Sequence, residues 1–282
     1  MSLFDTLVSG VLDASPEYAS LRPVVEKELL HHDILRMMSV NGFLQNLVFI
    51  GGTCLRNCYG SHRLSEDLDF TGGLDFNRAD LTQLGKTLVG GIKEKYGLNV
   101  EVSEPVREEG DVDTWKIKIV TRPDSPHLPL QRINIDICSL SSFDAQPAML
   151  INHYGVDLGS TGLLLMAESR EEILADKIIA LALRPNRVKN RDLWDILFLH
   201  QQQIRLNPHF IENKLNERKV LRQDFKNLLN TRIAFLQDNF ETSFKDYSFE
   251  MARFLPKKEL DAISENPLYW QYMLKVLQDL AR

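Results

Sequence analysis

The chain has 282 residues, of which 44% are hydrophobic and 26% charged, and this ordinary composition excludes disordered, collagen-like and repeat-driven classes. The 33 basic and 39 acidic residues give a net charge of −6, so a nucleic-acid-binding surface would have to be a local patch. No apolar run approaches the roughly 20 residues needed to span a bilayer, which argues against an integral membrane protein.

The cysteine content and the N-terminal segment indicate the cellular compartment. Cys54, Cys58 and Cys138 are an odd number of thiols in a long chain, which is typical of reduced thiols rather than of a disulfide scaffold. The first ten residues carry an acid, Asp5, where a secretory signal would carry Lys or Arg. We therefore expect a cytoplasmic protein.

The first half of the chain alternates helix-like and strand-like segments. Apolar residues at helical spacing predict a helix over 21–42. The apolar run 47–50, which ends at a glycine pair, predicts a buried strand that enters a tight turn. The next predicted elements are a short helix over 53–59, a strand over 68–71, and a helix from the N-cap Asn77 to about Tyr96, where Gly97 would end it.

Three strand candidates follow, and the periodicity then becomes helical. The candidates cover 99–106, 115–120 and 131–138, and the last two alternate apolar with polar residues. From about Ala167 the apolar residues recur at helical spacing, and Pro185 would end the first of these helices. We expect an α+β fold with a mixed-sheet domain over 1–165 and a helical-bundle domain over 166–282.

The pattern that carries chemistry starts at Gly51-Gly52-Thr53 and continues thirteen residues later with Asp67-Leu68-Asp69. Two carboxylates at positions i and i+2 of a strand project from the same face, so their oxygens can converge on one or two divalent cations. Such hard oxygen ligands suit Mg²⁺ or Mn²⁺, which in turn carry nucleotide phosphates. The glycine turn lets backbone N–H groups approach a triphosphate, and the start of a helix adds a favourable dipole.

Asp136 is the candidate for a third carboxylate. It stands between isoleucines on a predicted strand, where an acid is unusual unless it binds something. An isolated D-x-D is more often an exposed strand end, and an isolated glycine pair is mostly a turn. The three features in this order are much more specific than any one of them alone. Two metals held by such acids stabilise the attacking and leaving oxygens of phosphoryl transfer.

The segment 49–70, FIGGTCLRNCYGSHRLSEDLDF, resembles the DNA polymerase β-like nucleotidyltransferase superfamily. Within it, the segment is similar to the AbiEii/AbiGii branch, the toxins of type IV toxin–antitoxin and abortive-infection systems. That branch has G-G-[ST]-x-L and then R-[FL]-S-x-D-[LI]-D-F, and later an A-x-K helix followed by R-D-x-x-D. The last two are matched by 175–177 and 191–195, so the resemblance covers roughly residues 45–200. It implies a polymerase β-like core followed by a helical bundle.

The resemblance assigns roles to the first group of matching residues. It implies that 51–53 hold the triphosphate and that Asp67 and Asp69 coordinate the metals. Asp136 would be the third metal-binding carboxylate and the base for the acceptor hydroxyl. Mg²⁺ or Mn²⁺ would be the cofactor and an NTP the substrate.

A second group of roles follows from the later motifs and from the loop before the acids. Lys177 would contact the phosphates as a point charge, and Asp192 or Asp195 would complete the nucleotide pocket. Arg63 and Ser65 line the same loop as the metal-binding acids. The serine hydroxyl would contact phosphate or be modified itself.

Several other residues carry weaker signals. Cys54 and Cys58, four apart, could recruit a metal, but no partner pair has zinc spacing, so helix-face packing is the favoured interpretation. We expect His31, His32 and His200 to be surface or boundary residues, since no third ligand is evident.

Two groups of basic residues either line one RNA groove or form ordinary solvated faces. The first group comprises Arg184, Arg187, Lys189 and Arg191, and the second Lys214, Arg218, Lys219, Arg222 and Lys226. The sequence alone does not decide between the two interpretations.

The predicted activity is metal-dependent transfer of a nucleoside monophosphate from an NTP to an acceptor hydroxyl, with release of pyrophosphate. The resemblance implies the 3′ end of a tRNA as acceptor, growth arrest as the effect, and a cognate antitoxin that represses transcription rather than contacting the toxin. The alternatives are nucleotide transfer to a protein Ser, Thr or Tyr, a nucleotide-binding module without turnover, and phosphoester hydrolysis.

Overall fold

The structure, a computed structural model, describes residues 2–106, 110–125, 127–185 and 187–282. The chain divides into two compact units, one that ends at Glu168 and a second that comprises Ser169–Arg282. Across the described ranges, no helix is both long enough and apolar enough to cross a membrane.

The first unit combines helices with a mixed sheet. Its helices are α1 (Leu3–Ala14), α2 (Arg22–Val40), α3 (Gly51–Tyr59) and α4 (Leu84–Tyr96), with short 3-10 turns at Pro16–Leu21 and Arg78–Leu81. Its strands are β1 (Val48–Ile50), β2 (Leu68–Thr71), β3 (Val100–Ser103), β4 (Val112–Ile119), β5 (Gln131–Cys138), β6 (Ala145–Met149) and β7 (Leu164–Glu168).

The strands form one sheet in which β2 and β5 lie side by side at the centre. The order among the described strands is β3-β4-β5-β2-β1-β7-β6. Strand β2 pairs antiparallel with β1 and parallel with β5, whereas β4 pairs antiparallel with β5. This mixed topology confirms the α+β fold class expected from the sequence.

The core of the first unit lies on one face of β2 and β5. Ile133, Ile135 and Ile137 of β5 are fully buried, and so are Leu68 and Phe70 of β2. The residues that alternate with them point to the opposite face, where Asp69, Asn134 and Asp136 are half-buried and Arg132 is exposed. The alternation therefore sets apart an apolar core face and a polar face in the middle of the sheet.

The second unit consists of helices in its described residues. They are α5 (Arg170–Leu183), α6 (Asn190–Gln201), α7 (Pro208–Glu217), α8 (Arg222–Asp238), α9 (Phe240–Met251), α10 (Lys257–Ser264) and α11 (Pro267–Leu280). Helix α5 packs against α6, α7 and α8. Trp270 of α11 is fully buried and its ring packs on Phe244 and Tyr247 of α9.

The structure confirms most predicted elements near the motifs and corrects one helix. The helix over 21–42 is α2, and the strands predicted at 68–71 and 131–138 have the predicted bounds. The helix predicted from Asn77 to Tyr96 is not continuous. The Asn77 side chain accepts a hydrogen bond from the N–H of Ala79 and so caps only a 3-10 turn, and α4 starts later, at Leu84.

The sequence does not predict strands β6 and β7 or the first helix, α1. The sequence predicts helical periodicity from about Ala167, but this residue belongs to β7, where it pairs with Phe49 of β1. A short apolar strand next to a helix has no periodicity of its own, and its pairing depends on β1, more than 100 residues earlier in the chain. The strand predicted over 99–106 is β3, which ends earlier, at Ser103.

His31 and His32 are buried, which corrects the expectation that they are surface or boundary residues. Helix α2 is buried on most of its surface, so its polar side chains also face the protein interior. His31 Nε2 lies 3.0 Å from the carbonyl oxygen of Glu66, and His32 Nδ1 lies 2.7 Å from Ser160 Oγ. Each ring therefore has a polar partner inside the protein.

Candidate active site

The predicted carboxylates lie on adjacent strands of the sheet. Asp69 of β2 is the register partner of Asp136 of β5, and Asp67 comes two residues before Asp69. Both register partners alternate with buried apolar residues, so they lie on the polar face of the sheet. Because neighbouring strands are about 4.8 Å apart, the register places Asp69 and Asp136 next to each other.

Hydrogen bonds from β4 and β5 orient two of these acids, Asp136 and Asp67. Thr114 of β4, the register partner of Asp136 on its other side, donates a 2.6 Å hydrogen bond to Asp136 Oδ1. The backbone N–H of Asn134 donates to Asp67 Oδ1 at 3.0 Å. Among the residues that the structure describes, no three acid, histidine or cysteine side chains are already grouped as a metal site. The carboxylates share a face and adjacent strands, but they are not gathered around one point.

Gly51 lets the Asp69 carboxylate approach the start of α3. Its φ of +77° lies in the left-handed region, which residues with a Cβ rarely adopt. A Cβ on Gly51 would lie 2.8 Å from Asp69 Oδ2, closer than real contacts allow. The position therefore requires glycine for its backbone conformation and for the acid packed against it.

The first turn of α3 presents backbone N–H groups of Gly51, Gly52 and Thr53, which have no carbonyl partner within the helix. Such groups and the positive end of the helix dipole form an anion-binding site. The Thr53 side chain is buried, lies 2.6 Å from Ser65 Oγ, and hydrogen-bonds the carbonyl oxygen of Asp67. Thr53 thus ties the helix start to the segment that carries the first acid.

The loop before β2 holds the two other predicted residues of the first unit. Ser65 is buried, and its N–H donates to Glu28 Oε1 at 2.8 Å. Arg63 is also buried, and its guanidinium donates to the carbonyl oxygen of Leu64 at 3.0 Å. Both side chains therefore belong to a packed loop rather than to an exposed one.

In the second unit, Lys177 lies between two carboxylates. Its Nζ is 3.0 Å from Asp192 Oδ1 and 2.8 Å from Asp195 Oδ2, and its side chain is 12% exposed. Arg184 donates to the other oxygen of Asp192 at 2.6 Å. Burial alone would raise the pKa of the Asp192 carboxyl, but the Lys177 and Arg184 cations outweigh it and hold this pKa well below its usual range. Asp192 is therefore an anion at any physiological pH.

Comparison of the sequence with protein-family models identifies the family to which the chain belongs. The model described as nucleotidyl transferase AbiEii toxin of type IV toxin–antitoxin systems matches residues 33–275, which is most of the chain. The chain belongs to the AbiEii toxin family. AbiEii members are toxin-type nucleotidyltransferases, so the activity class is nucleotidyl transfer, and the family implies a nucleotide substrate and a cognate antitoxin.

Solved structures similar to this AbiEii chain include a nucleotidyltransferase toxin, MenT4 of Mycobacterium tuberculosis. The TM-score is 0.54 at 14% sequence identity, with 97% of this chain and 98% of that chain covered, and this likeness shows a shared fold. JHP933 of Helicobacter pylori gives a TM-score of 0.49 at 16% identity, with 91% and 93% covered. The comparison with curated protein sequences found no match.

The residues assigned by the AbiEii resemblance form two groups, one in each unit. The first unit contains the group Gly51, Gly52, Thr53, Arg63, Ser65, Asp67, Asp69 and Asp136, and the second unit contains the group Lys177, Asp192 and Asp195. Members of the first group are connected through Thr53 and through the β2–β5 register. Members of the second group are connected through Lys177.

The sequence analysis missed the neighbours that orient these groups. Thr114 follows a polar stretch with no motif, and only the strand register brings it to Asp136. Glu28 belongs to α2, 37 residues before Ser65, and no sequence pattern links the two. Arg184 was recognised as basic but not as the partner of Asp192.

Lys214, which the sequence analysis included among the basic residues of an RNA groove, is only 3% exposed. Its Nζ lies 2.7 Å from Glu172 Oε1 and 2.9 Å from Asp176 Oδ2. The Lys214 ammonium therefore takes part in a buried ion-pair network between α7 and α5. Lys214 therefore does not belong to a solvent-facing basic surface.

Proposed function

We propose that this AbiEii family member transfers a nucleoside monophosphate from an NTP to a hydroxyl at the 3′ end of a tRNA, in a reaction that depends on a divalent cation. The observation that carries the proposal is the register that places Asp69 beside Asp136, with Asp67 two residues before and Gly51 against the Asp69 carboxylate. The family supports nucleotidyl transfer as the class of reaction.

In the proposed reaction, the acceptor hydroxyl oxygen forms a bond to the α-phosphorus of the NTP. The bond from that phosphorus to the bridging oxygen of the β-phosphate breaks, and pyrophosphate leaves. The proton of the acceptor hydroxyl goes to the Asp136 carboxylate. The Thr114 hydroxyl orients this carboxylate by donating a hydrogen bond to its Oδ1. The α3 N–H groups of 51–53 bind the phosphate oxygens.

The donor set of the sheet fits a hard divalent cation such as Mg²⁺ or Mn²⁺. Asp67, Asp69 and Asp136 offer only carboxylate oxygens, and two of the three occupy adjacent register positions. A cation bound there would neutralise negative charge on the reacting phosphate. The residues that would hold it are these three acids.

Lys177 takes the phosphate-binding role in the proposal. Its two carboxylate partners, Asp192 and Asp195, restrict the rotation of a long and flexible side chain. An ammonium held in this way can bind a phosphate oxygen with less loss of side-chain entropy than a free lysine. We expect Lys177→Met to raise the KM for NTP more than Arg187→Met, which removes an exposed cation of the same unit.

The test is incubation with total tRNA and each α-labelled NTP, in the presence of Mg²⁺ or Mn²⁺. We expect label in tRNA with the wild type and none with the Asp67→Ala, Asp69→Ala double variant. Label in a protein band would mean that the acceptor is a protein rather than tRNA, while the proposed nucleotidyl transfer would stand. NTP binding without any labelled product would contradict catalysis and favour a binding module, and free phosphate would indicate hydrolysis.

The antitoxin part of the proposal has its own test. We propose that the cognate antitoxin acts as a transcriptional repressor without binding the toxin. Co-expression of the two proteins, followed by size-exclusion chromatography at micromolar concentration, should then give separate peaks. A stable co-eluting complex would contradict this mode of control.

A further inference from the structure

One face of α2 contacts the loop that leads to the first acid. Lys27 Nζ lies 2.9 Å from Glu66 Oε1, and His31 Nε2 lies 3.0 Å from the carbonyl oxygen of Glu66. Between them along the helix, Glu28 Oε1 accepts the N–H of Ser65 at 2.8 Å. Two of these three contacts are to the backbone of the loop, and Asp67 is the next residue after Glu66.

Glu28 also connects the loop to two other segments. Its second oxygen, Oε2, accepts a hydrogen bond from Arg56 Nε of α3 at 3.2 Å and another from the Tyr154 hydroxyl. Arg56 in turn donates from Nη1 to the carbonyl oxygen of Ser61, at the start of the same loop, at 3.0 Å. Glu28 and Arg56 are 1% and 2% exposed, so this network is almost entirely removed from water.

The loop 61–66 is therefore fixed at both of its ends by buried polar side chains. Arg56 holds Ser61, while Glu28 and His31 hold Ser65 and Glu66. A charged hydrogen bond in a buried site is stronger than one in water, so these contacts restrict the backbone directly before the acid. A displacement of about 1 Å at a reacting group can cost about a hundredfold in rate.

We propose that Lys27, Glu28 and His31 form a clamp on α2 whose role is to position Asp67 for the reaction, with His31 as a positioning residue rather than a catalytic one. The inference rests on the proposed function, because it concerns the same acids. It adds a group of residues outside all of the motifs. Loss of the clamp is expected to slow the reaction without removing any group that touches substrate.

The test uses two adjacent histidines as a matched pair. His31→Leu removes the contact to Glu66, whereas His32→Leu removes an equally buried ring of the same helix whose partner is Ser160. His31→Gln is the rescue variant, because the glutamine Nε2 can donate to the same carbonyl oxygen. Thermal unfolding of all three variants shows how much stability each substitution costs.

Two readouts are measured on the full chain. The first is hydrogen exchange of the segment 61–67, where we expect about tenfold faster exchange in His31→Leu and wild-type exchange in His32→Leu and His31→Gln. The second is the kinetics of nucleotide transfer, where kcat should fall about tenfold in His31→Leu, with the KM for NTP within threefold of wild type.

The exchange readout separates this inference from the proposed function, because it needs no activity. Faster exchange confined to His31→Leu supports the clamp, and the fall in kcat with rescue by His31→Gln supports its role in the reaction. Unchanged exchange in His31→Leu, or an equal loss of kcat in His32→Leu, would overturn it. If the wild type transfers no nucleotide, the proposed function fails and the exchange of 61–67 still decides the clamp.

Discussion

Gly51 and Gly60 stand at the two ends of α3 with nearly the same backbone conformation. Their φ angles are +77° and +74°, but of the two only Gly51 lies against another side chain, the Asp69 carboxylate. Nothing lies within 4 Å of a Cβ built on Gly60. The pair thus separates the conformational requirement for glycine from the requirement for space.

Alanine substitutions at the two glycines should cost similar stability but differ in their effect on the transfer rate. Each should lower the free energy of unfolding by about 1–2 kcal/mol, because a Cβ disfavours the left-handed region. Only Gly51→Ala should also displace Asp69, and we expect its transfer rate to fall about a hundredfold while Gly60→Ala keeps wild-type kcat. Steady-state kinetics and urea denaturation check both parts, and equal activity of the two variants would contradict the role given to Gly51.

Thr114 offers a second test at the level of one side chain. Thr114→Val keeps the shape of the residue but removes the hydroxyl that donates to Asp136, so the carboxylate loses its orientation. We expect kcat to fall about tenfold. Thr114→Ser retains the hydroxyl and should stay within threefold of wild type. A valine variant as active as the serine variant would show that the orientation of Asp136 does not depend on Thr114.

At the scale of helices, α2 carries two buried histidines whose pKa values are lowered. Burial, followed by the neighbouring His31, lowers the pKa of His32 to about 4, below its usual value near 6.5. Since the folded-state pKa is the lower one, the protonated form favours unfolding. The contribution to stability is complete above about pH 6.5 and is lost as the pH falls toward 4.

The free energy of unfolding should therefore fall between pH 7 and pH 4, and His32 should contribute about 3 kcal/mol to this fall. In His32→Leu that part of the pH dependence should be missing. A residual dependence should persist, because burial also lowers the pKa values of His31 and His153. Urea denaturation at both pH values measures the difference, and identical pH dependence in wild type and variant would contradict a buried neutral His32.

Helices α5 and α7 are joined by the buried ion pairs of Lys214. Removal of the ammonium leaves Glu172, which is fully buried, without this counter-charge, and such losses cost about 3–5 kcal/mol. We expect this loss of stability in Lys214→Met, measured by urea denaturation. Arg218→Met removes a more exposed cation 3.6 Å from Asp176 and should cost less than about 1 kcal/mol. RNA binding weakened by Lys214→Met at unchanged stability would instead support a surface role.

Sequence analysis predicted the elements whose signals are local. Alternation of isoleucines with polar residues gave both bounds of β5 and placed Asp136 on its polar face. Strand β7 escaped detection because its pairing partner, Phe49, is distant in the chain. The i, i+2 spacing predicts Asp67 and Asp69 as metal-binding acids, whereas Thr114, Asn134 and Glu28 are near the acids only through strand register and helix packing.

At the scale of the whole molecule, the family match and the fold agree. The AbiEii model matches residues 33–275, and the similarity to MenT4 extends over 97% of the chain at only 14% identity. A fold can persist at such low identity because a core tolerates substitutions that keep its volume and pattern. Because a shared fold does not by itself determine an activity, the proposed site residues have to be tested directly, and the acids of the sheet come first.

The most direct measurement of the central claim compares NTP labelled at the α-phosphate with NTP labelled at the γ-phosphate. Wild type, Asp69→Asn and a control variant, Asp75→Asn, which changes an exposed acid six residues further on, are incubated with tRNA and Mg²⁺ or Mn²⁺. We expect stable incorporation of the α-label by wild type and Asp75→Asn, none by Asp69→Asn, and no incorporation of the γ-label. Incorporation of the γ-label, or undiminished α-label with Asp69→Asn, would contradict nucleotidyl transfer at these acids.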